Sequence, residues 1–394
     1  MSDAPHARNR FAAVELLMVL GFLMSLHETL FTPVNGEYLR GIVVHDSSVA
    51  LIEGVIKLAI LIIDLFAVHI ILRVGKVRLL TSLFALLGLV DLLFLLLPQS
   101  YIVMPNYFFY FASYSLGWIC LTLLIKRYSR MEQIHTNEGK IYLGSNIGWL
   151  IGPALGGLIT SSFGYNGLFA VMAGLATVSF LIMLQQRHAF DQTVPSRISG
   201  TIRLKEDLQT FFSLPEFKKR YLTNIALFSY YATMGIYFPI YLLHNGFSFS
   251  QVGLCVSIGI LPFILLPLPL GKLADAAGKE TVFFITGFLM ISLSLGLLTV
   301  SQDFTWLVLF NLMGATGSAL VESLNQSLFL KKVHNHKTAM QSIFQTSTTG
   351  GWVFSMILCA ATLQIMPVRS LFLVFIPVML VAASLQLARS RQHT

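Results

Sequence analysis

The chain has 394 residues, of which 55% are hydrophobic and 11% charged, and its mean hydropathy is +0.75. A soluble globular protein carries about 25% charged residues, so this composition excludes a soluble enzyme, a nucleic-acid-binding protein and a disordered protein. The net charge of +8 therefore has to be interpreted through the positions of the charges in a membrane protein.

Twelve apolar segments follow one another along the chain, each long enough to cross a bilayer as a helix of about 20 residues. Their ranges are 11–33, 48–72, 78–97, 103–126, 141–162, 166–185, 221–243, 250–272, 280–300, 304–330, 339–365 and 369–388. A polar stretch at 186–220 separates six segments in 1–185 from six in 221–394. Because no small-residue cleavage site follows the basic N-terminus, we expect the first segment to remain as a span.

The basic residues orient these predicted spans. If the N-terminus is cytoplasmic, all 26 lysines and arginines except Arg40, Arg369 and Lys57 fall in cytoplasmic segments. This positive-inside bias predicts that both termini are cytoplasmic. We therefore expect an all-α, multi-pass protein of the cell (inner or plasma) membrane.

Ionisable side chains inside the first two predicted spans are candidates for function, because a charge in hydrocarbon costs a few kcal/mol. Glu28 lies on a polar face of the first span and suits a group that exchanges a proton with a substrate. In the second span Glu53, Lys57 and Asp64 fall within about 40° of one another around the helix. Glu53 and Lys57 form an ion pair in one interpretation, which leaves Asp64 as the less satisfied carboxylate.

The third and fourth spans carry a single charge and an aromatic face. For Asp91, in the third span, two interpretations stay open: a peripheral polar residue, or a partner for Lys57. The fourth span places Tyr110, Tyr114 and Trp118 on one face. Such a face is typical of core packing, and alternatively of a wall that contacts an amphipathic substrate.

Glycines recur every four residues in the fifth span, which reads Gly144-Ser-Asn-Ile-Gly148-Trp-Leu-Ile-Gly152-Pro153-Ala-Leu-Gly156-Gly157. They form a smooth ridge on which another helix can pack closely. Pro153 bends the helix because it removes a backbone hydrogen bond. Asn146, in the same segment, is a candidate substrate contact.

Residues 201–212, within the central polar stretch, have apolar positions at helical spacing with charges between them. This pattern predicts a short amphipathic helix at the cytoplasmic interface. A plain solvated linker is the alternative.

The second half offers polar side chains for a substrate site. Glu322 shares a face of the tenth span with Asn311, and the eleventh span carries Gln341 and Gln345 on one face. Polar and aromatic groups together suit an amphipathic organic substrate. A role for Glu322 in holding helices together is the alternative.

Two cytoplasmic turns occupy equivalent places after the second and eighth spans. The first contains Gly75 and Lys76, and the second reads Gly271-Lys-Leu-Ala-Asp275-Ala-Ala-Gly278-Lys279. Together with the six-plus-six topology, they resemble the loop signature of the major facilitator superfamily, in which the Asp latches neighbouring helices. Because Leu72 replaces that Asp in the first turn, we expect the latch to depend on the second half.

The fifth-span pattern of Gly148, Gly152, Pro153, Gly156 and Gly157 resembles the antiporter motif of the drug/proton exporters of this superfamily. The resemblance implies twelve transmembrane helices in two pseudo-symmetric six-helix halves, with the substrate site between them. It also implies proton-coupled export of a small organic molecule, such as a drug, siderophore or metabolite, by a monomer in the lipid bilayer. Uptake by a symporter or uniporter, a lipid or lysolipid flippase, and a non-transporting receptor or assembly factor are the alternatives. No motif predicts enzyme chemistry, ATP binding, a metal, a cofactor or a nucleic-acid partner.

Overall fold

The computed structural model describes residues 4–43, 45–97, 102–129, 134–186, 190, 204–266, 280–333 and 338–387. Over these ranges the secondary structure is entirely helical. The helices are α1 Ala4–Phe31, α2 Asn35–Val43, α3 Asp46–Val74, α4 Lys76–Leu96, α5 Val103–Tyr128, α6 Ile134–Gln186, α7 Leu204–Ser213, α8 Pro215–His244, α9 Phe249–Leu265, α10 Glu280–Leu298, α11 Phe304–Val333, α12 Thr338–Thr362 and α13 Arg369–Leu387.

Eight of the helical stretches in the described part of the chain are long and apolar enough to cross a membrane. Many apolar side chains on them are exposed, and Leu89 and Leu293 each expose more than half of their surface, at 53% and 57%. Such side chains are stable next to lipid rather than water. The all-α prediction is confirmed for the described residues, whereas the number of twelve spans stays a prediction.

The fifth and sixth predicted spans both lie in α6, which covers 53 residues. Gly164 interrupts this helix, with φ of 68° and ψ of −171°. Glycine adopts this region because it has no Cβ. The interruption falls in the short Ser161–Gly164 segment that separates the two apolar segments in the sequence.

The amphipathic segment before the second half forms α7, which ends in an aromatic cluster. Phe211 is fully buried against Phe217, Phe329 and Phe344, and the adjacent Phe212 is 43% exposed. Residues of α8, α11 and α12 thus hold α7 in place. The apolar periodicity at 201–212 predicts such a helix, whereas a plain linker would be solvated.

The chain forms two compact units. Unit 1 comprises Met1–Asn35, Ala59–Gly200 and Ser248–Ser257, and unit 2 comprises Gly36–Leu58, Thr201–Phe247 and Ile258–Thr394. The predicted division into 1–185, 186–220 and 221–394 stays a prediction.

Aromatic rings form the centre of unit 1. Phe94 stacks on Phe169 with ring centroids 5.0 Å apart, and Phe31 and Tyr107 meet Phe94 at 6.0 and 5.3 Å. These four side chains from α1, α4, α5 and α6 are all under 2% exposed. These rings therefore hold the four helices together.

Hydrogen bonds between side chains join the helices of unit 2. The amide of Asn224 on α8 donates to Ser347 Oγ on α12 at 2.8 Å, and Gln386 on α13 donates to Thr223 Oγ1 at 2.8 Å. All four side chains are buried. Such bonds fix helix rotation inside a membrane, where apolar contact with lipid competes with apolar contact between helices.

Candidate functional site

Glu28 lies in the membrane-spanning part of α1 and faces an indole. The Nε1–H of Trp118, on α5, donates to Glu28 Oε2 at 3.4 Å. Both side chains are partly exposed. Unit 1 thus contains a carboxylate beside an aromatic ring. The sequence placed Glu28 and Trp118 on faces of two different spans and did not predict that they meet.

The neighbouring residue His27 joins α1 to α4 and α5. Its Nε2 lies 2.7 Å from Asp91 Oδ2, and its Nδ1 is hydrogen-bonded to the hydroxyl of Tyr114. His27, Asp91 and Tyr114 are 3%, 0% and 3% exposed. The structure thus corrects both interpretations of Asp91, because this carboxylate is central rather than peripheral and its partner is His27 rather than Lys57.

Two ionisable residues of α3 contact side chains of other helices. Asp64 accepts a hydrogen bond from Ser115 on α5, within unit 1. In unit 2, the Nζ of Lys57 lies 4.6 Å from the ring centroid of Trp352 on α12, and Glu53 is fully buried. A cation over an indole face is attracted by the ring quadrupole, an interaction that helical spacing along α3 does not reveal.

The aromatic face of α5 is divided between core and site. Tyr110 is 1% exposed and packs on Tyr114 with ring centroids 4.9 Å apart. Trp118, one turn further along α5, is the partly exposed member of the face. Core packing therefore describes Tyr110 and Tyr114, while Trp118 has the exposure that a substrate contact needs.

The glycine ridge of α6 packs on two different helices of unit 1. Gly148 and Gly156 face α1, where a Cβ added to Gly156 would lie 2.7 Å from the carbonyl carbon of Leu30. Gly157 instead faces α9, and a Cβ there would lie 3.1 Å from the Cα of Gly253. The adjacent glycines Gly156 and Gly157 thus permit the close approach of two helices, α1 and α9. The four-residue spacing predicts one such contact and not the contact with α9.

Hydrogen bonds also join α6 to α1 and α9 beside these glycines. The hydroxyl of Thr29 on α1 donates to the carbonyl of Gly148 at 3.1 Å. One residue beyond Pro153, the backbone N–H of Ala154 donates to Ser257 Oγ on α9 at 2.9 Å. Asn146 lies on the same helix and is partly exposed.

In unit 2, Glu322 is a carboxylate on the spanning helix α11. The hydroxyl of Tyr231 on α8 donates to Glu322 Oε2 on α11 at 2.8 Å, and both side chains are partly exposed. Asn311, also on α11, is 8% exposed. On α12 Gln345 is exposed, whereas the side chain of Gln341 lies outside the described residues.

Of the two turns in the predicted latch, the structure describes the first and not the second. Gly75 has φ of 93° directly before α4, and Lys76, the first residue of α4, is 7% exposed. The positive φ accounts for glycine at this position. Gly271, Asp275, Gly278 and Lys279 lie outside the described residues.

Comparison of the sequence with known families identifies similar proteins. The model of the Major Facilitator Superfamily matches residues 17–340 and 222–392. The chain is 25% identical over 211 residues to the uncharacterized MFS-type transporter MJ1560 of Methanocaldococcus jannaschii, covering 52% of this chain and 53% of that protein. It is also 25% identical over 220 residues to the uncharacterized MFS-type transporter YcaD of Salmonella enteritidis, covering 55% and 54%. The chain thus spans about half the length of the curated relatives it matches.

Two solved structures share the fold. A POT family transporter in complex with 5-aminolevulinic acid aligns with a TM-score of 0.75 at 13% identity, over 95% of this chain and 94% of that one. The nucleoside transporter NupG aligns with a TM-score of 0.77 at 14% identity, over 95% and 98%. At such low identity the likeness concerns the fold alone.

Proposed function

The chain belongs to the major facilitator superfamily, and we propose that it is a secondary active transporter that exports a small organic molecule in exchange for protons. In this proposal, twelve transmembrane helices form two six-helix halves with cytoplasmic termini in the cell membrane. A monomer then exposes the substrate site alternately to the two sides.

The observation that carries the proposal is the contact of Glu28 with Trp118. A carboxylate inside a spanning helix is costly and is retained for function by default. Because Glu28 is partly exposed, it is open to water or substrate. An indole beside a carboxylate suits an organic cation with an apolar body, which the ring face and the negative charge attract together.

Exchange follows from competition for one carboxylate. Glu28 holds either a proton or the positive charge of a substrate, because both neutralise the same group. A proton that binds from outside displaces the substrate, and a substrate that binds from inside displaces the proton. A net proton gradient directed inward then drives the organic cation outward.

Unit 2 has candidate substrate contacts of its own. The hydrogen-bonded pair of Tyr231 and Glu322 is partly exposed, and Gln345 is exposed on α12. Tyrosine, carboxylate and amide groups suit the polar part of an amphipathic molecule. Lys57 over Trp352 and the carboxylates Glu53 and Asp64 are assigned to proton coupling or to the change of conformation.

The outward direction rests on the fifth-span resemblance to drug/proton exporters. Gly152, Pro153 and Gly156 belong to that motif, and the close packing of α6 on its neighbours supports a role in the change of conformation. A symporter, a uniporter and a lysolipid flippase use the same fold without this motif, and they remain the competing functions.

A binding experiment on the purified full chain tests the substrate class. Organic cations, with ethidium as the first probe, should raise the melting temperature, and the shift should shrink as the pH falls because protons compete for Glu28. The Glu28→Gln variant should lose the shift. Glu15 lies on the same helix as Glu28 and forms an exposed ion pair with Lys140 of α6. The Glu15→Gln variant should keep the shift.

The competing functions predict different stabilising compounds. Stabilisation by sugars or nucleosides, independent of Glu28, would favour uptake of a metabolite. Stabilisation by lysolipids alone would favour a flippase. Either result would refute the exchange of organic cations for protons.

A further inference from the structure

We propose that His27 and Asp91 form a second proton-binding site, separate from Glu28, which holds one exchangeable proton as a buried imidazolium–carboxylate pair. The site is argued from the geometry and burial of the pair, without reference to transport. Its use in transport rests on the proton exchange proposed above.

Both ring nitrogens of His27 face an oxygen atom. Asp91 Oδ2 lies 2.7 Å from Nε2, and the hydroxyl of Tyr114 is hydrogen-bonded to Nδ1. A neutral imidazole has one N–H, whereas imidazolium has two N–H donors. The doubly protonated ring therefore has an acceptor at each nitrogen, and one of them is a carboxylate.

Because the pair is buried, its stability depends on how many protons it holds. Asp91 is 0% exposed and its Oδ1 has no hydrogen-bond partner among the described residues, while His27 is 3% exposed. With the extra proton the pair is electrically neutral overall. Without it, a negative charge would remain in the membrane interior with poor hydrogen bonding, which is strongly unfavourable.

The groups around the pair do not supply another positive charge. On α1 the neighbour is Glu28, on α5 Tyr110 and Tyr114, and the electrostatic effects of Asp91 and Glu28 both reach these tyrosines. From α6, Phe169 packs against Phe94, one turn from Asp91. Asp64 of α3 binds Ser115, on a different face of α5. Within the described residues, His27 is thus the cation that faces Asp91.

This arrangement ties the release of the proton to a change of conformation. While α1, α4 and α5 enclose the pair, loss of the proton would leave an uncompensated carboxylate. Separation of these helices would admit water, which stabilises that charge, and the proton would leave to the solvent. His27 and Glu28 are consecutive on α1, about 100° apart around the helix, so a rotation of α1 that alters one site alters the other.

Nuclear magnetic resonance of the histidine rings tests the proton count without a substrate. The full chain, labelled with ¹³C and ¹⁵N histidine and inserted in nanodiscs, contains ten histidines. At about pH 7.5, where an ordinary histidine is mostly neutral, one ring should carry protons on both nitrogens. This signal should disappear in His27→Gln and convert to a neutral-ring signal in Asp91→Asn.

Two further variants keep the result interpretable. Tyr114→Phe should shift the Nδ1 signal and leave the ring doubly protonated, which identifies His27 even if His27→Gln fails to fold. Glu15→Gln, on the same helix, should leave the spectrum of His27 unchanged. A His27 ring with one proton in the wild-type chain, or one that does not respond to Asp91→Asn, would overturn the proposal.

Proteoliposomes loaded with ethidium separate this proposal from the proposed function. His27→Gln should lower the number of protons moved per ethidium, because Glu28 still exchanges its own proton. It should keep ethidium–ethidium exchange at equal pH, as no net proton transfer is needed there. A wild-type chain with a doubly protonated His27 and no proton-driven movement would refute the proposed function only. Proton-driven movement together with a neutral His27 would refute the second proton site only.

Discussion

Replacement of Gly156 by alanine tests the packing of α1 on α6. The added methyl group would lie 2.7 Å from the carbonyl carbon of Leu30, whereas ordinary contacts begin at 3.4 Å. The carbonyl oxygen of Leu30 would be closer still, so the two backbones would have to separate by more than about 0.7 Å, because neither a carbonyl group nor a Cβ can rotate away. Overpacking of this kind costs about 1–3 kcal/mol, and we expect the upper part of that range.

The chain provides both the assay and the control for this substitution. The thiols of its three cysteines are buried, so unfolding exposes them to a reactive dye; they are Cys120, Cys255 and Cys359. Gly174 lies on the same helix with no heavy atom within 4 Å of an added Cβ, so Gly174→Ala should be neutral or stabilise by about 0.5–1 kcal/mol. Equal melting temperatures for Gly156→Ala and Gly174→Ala would refute the close approach of α1 and α6.

Three further substitutions test other contacts. Phe211→Ala should cost about 3–5 kcal/mol in the aromatic cluster and speed hydrogen exchange of the α7 amides; unchanged exchange would show that the cluster does not hold α7. Tyr231→Phe removes the hydrogen bond to Glu322 and should cost about 1.5–3 kcal/mol, lowering the melting temperature more than Tyr230→Phe on the same helix; an equal effect would contradict this. Arg40→Ala breaks partly exposed ion pairs with carboxylates of α2 and α3 and should change stability by less than about 1 kcal/mol; a larger fall in melting temperature would show that this bridge is structural.

The positions of the helices follow from the sequence because hydrophobic runs and breaks are local signals. Each apolar segment overlaps a described helix, and the break between the fifth and sixth segments falls at Gly164. The comparisons confirm the major facilitator superfamily, and with it a multi-pass protein of a transporter family rather than an enzyme family. The direction of transport, the proton coupling and the roles of individual residues stay predictions.

Contacts between helices could not be predicted in the same way. Asp91 and His27 are 64 residues apart in the chain, and their contact depends on how α1 and α4 are rotated about their axes. Periodicity places a residue on a face of its own helix but does not state which helix that face meets. For the same reason Asp91 appeared isolated, and the contact of Gly157 with α9 was not foreseen.

The contact of Glu28 with Trp118 could not be predicted from the sequence either. Each residue was a candidate by its own chemistry, the carboxylate for its charge and the indole for its aromatic face. Only the fold brings them within 3.4 Å. The chemistry of single residues was therefore predictable, and the assembly of a site from them was not.

Proton flux driven by an organic cation tests the central claim most directly. Proteoliposomes of the full chain, loaded with a pH-sensitive dye, receive an ethidium gradient in the absence of any initial pH difference. Proton movement opposite to ethidium, absent in Glu28→Gln and retained in Glu15→Gln, is the predicted result. Ethidium movement without proton movement, or movement of both in the same direction, would contradict the exchange of protons for substrate.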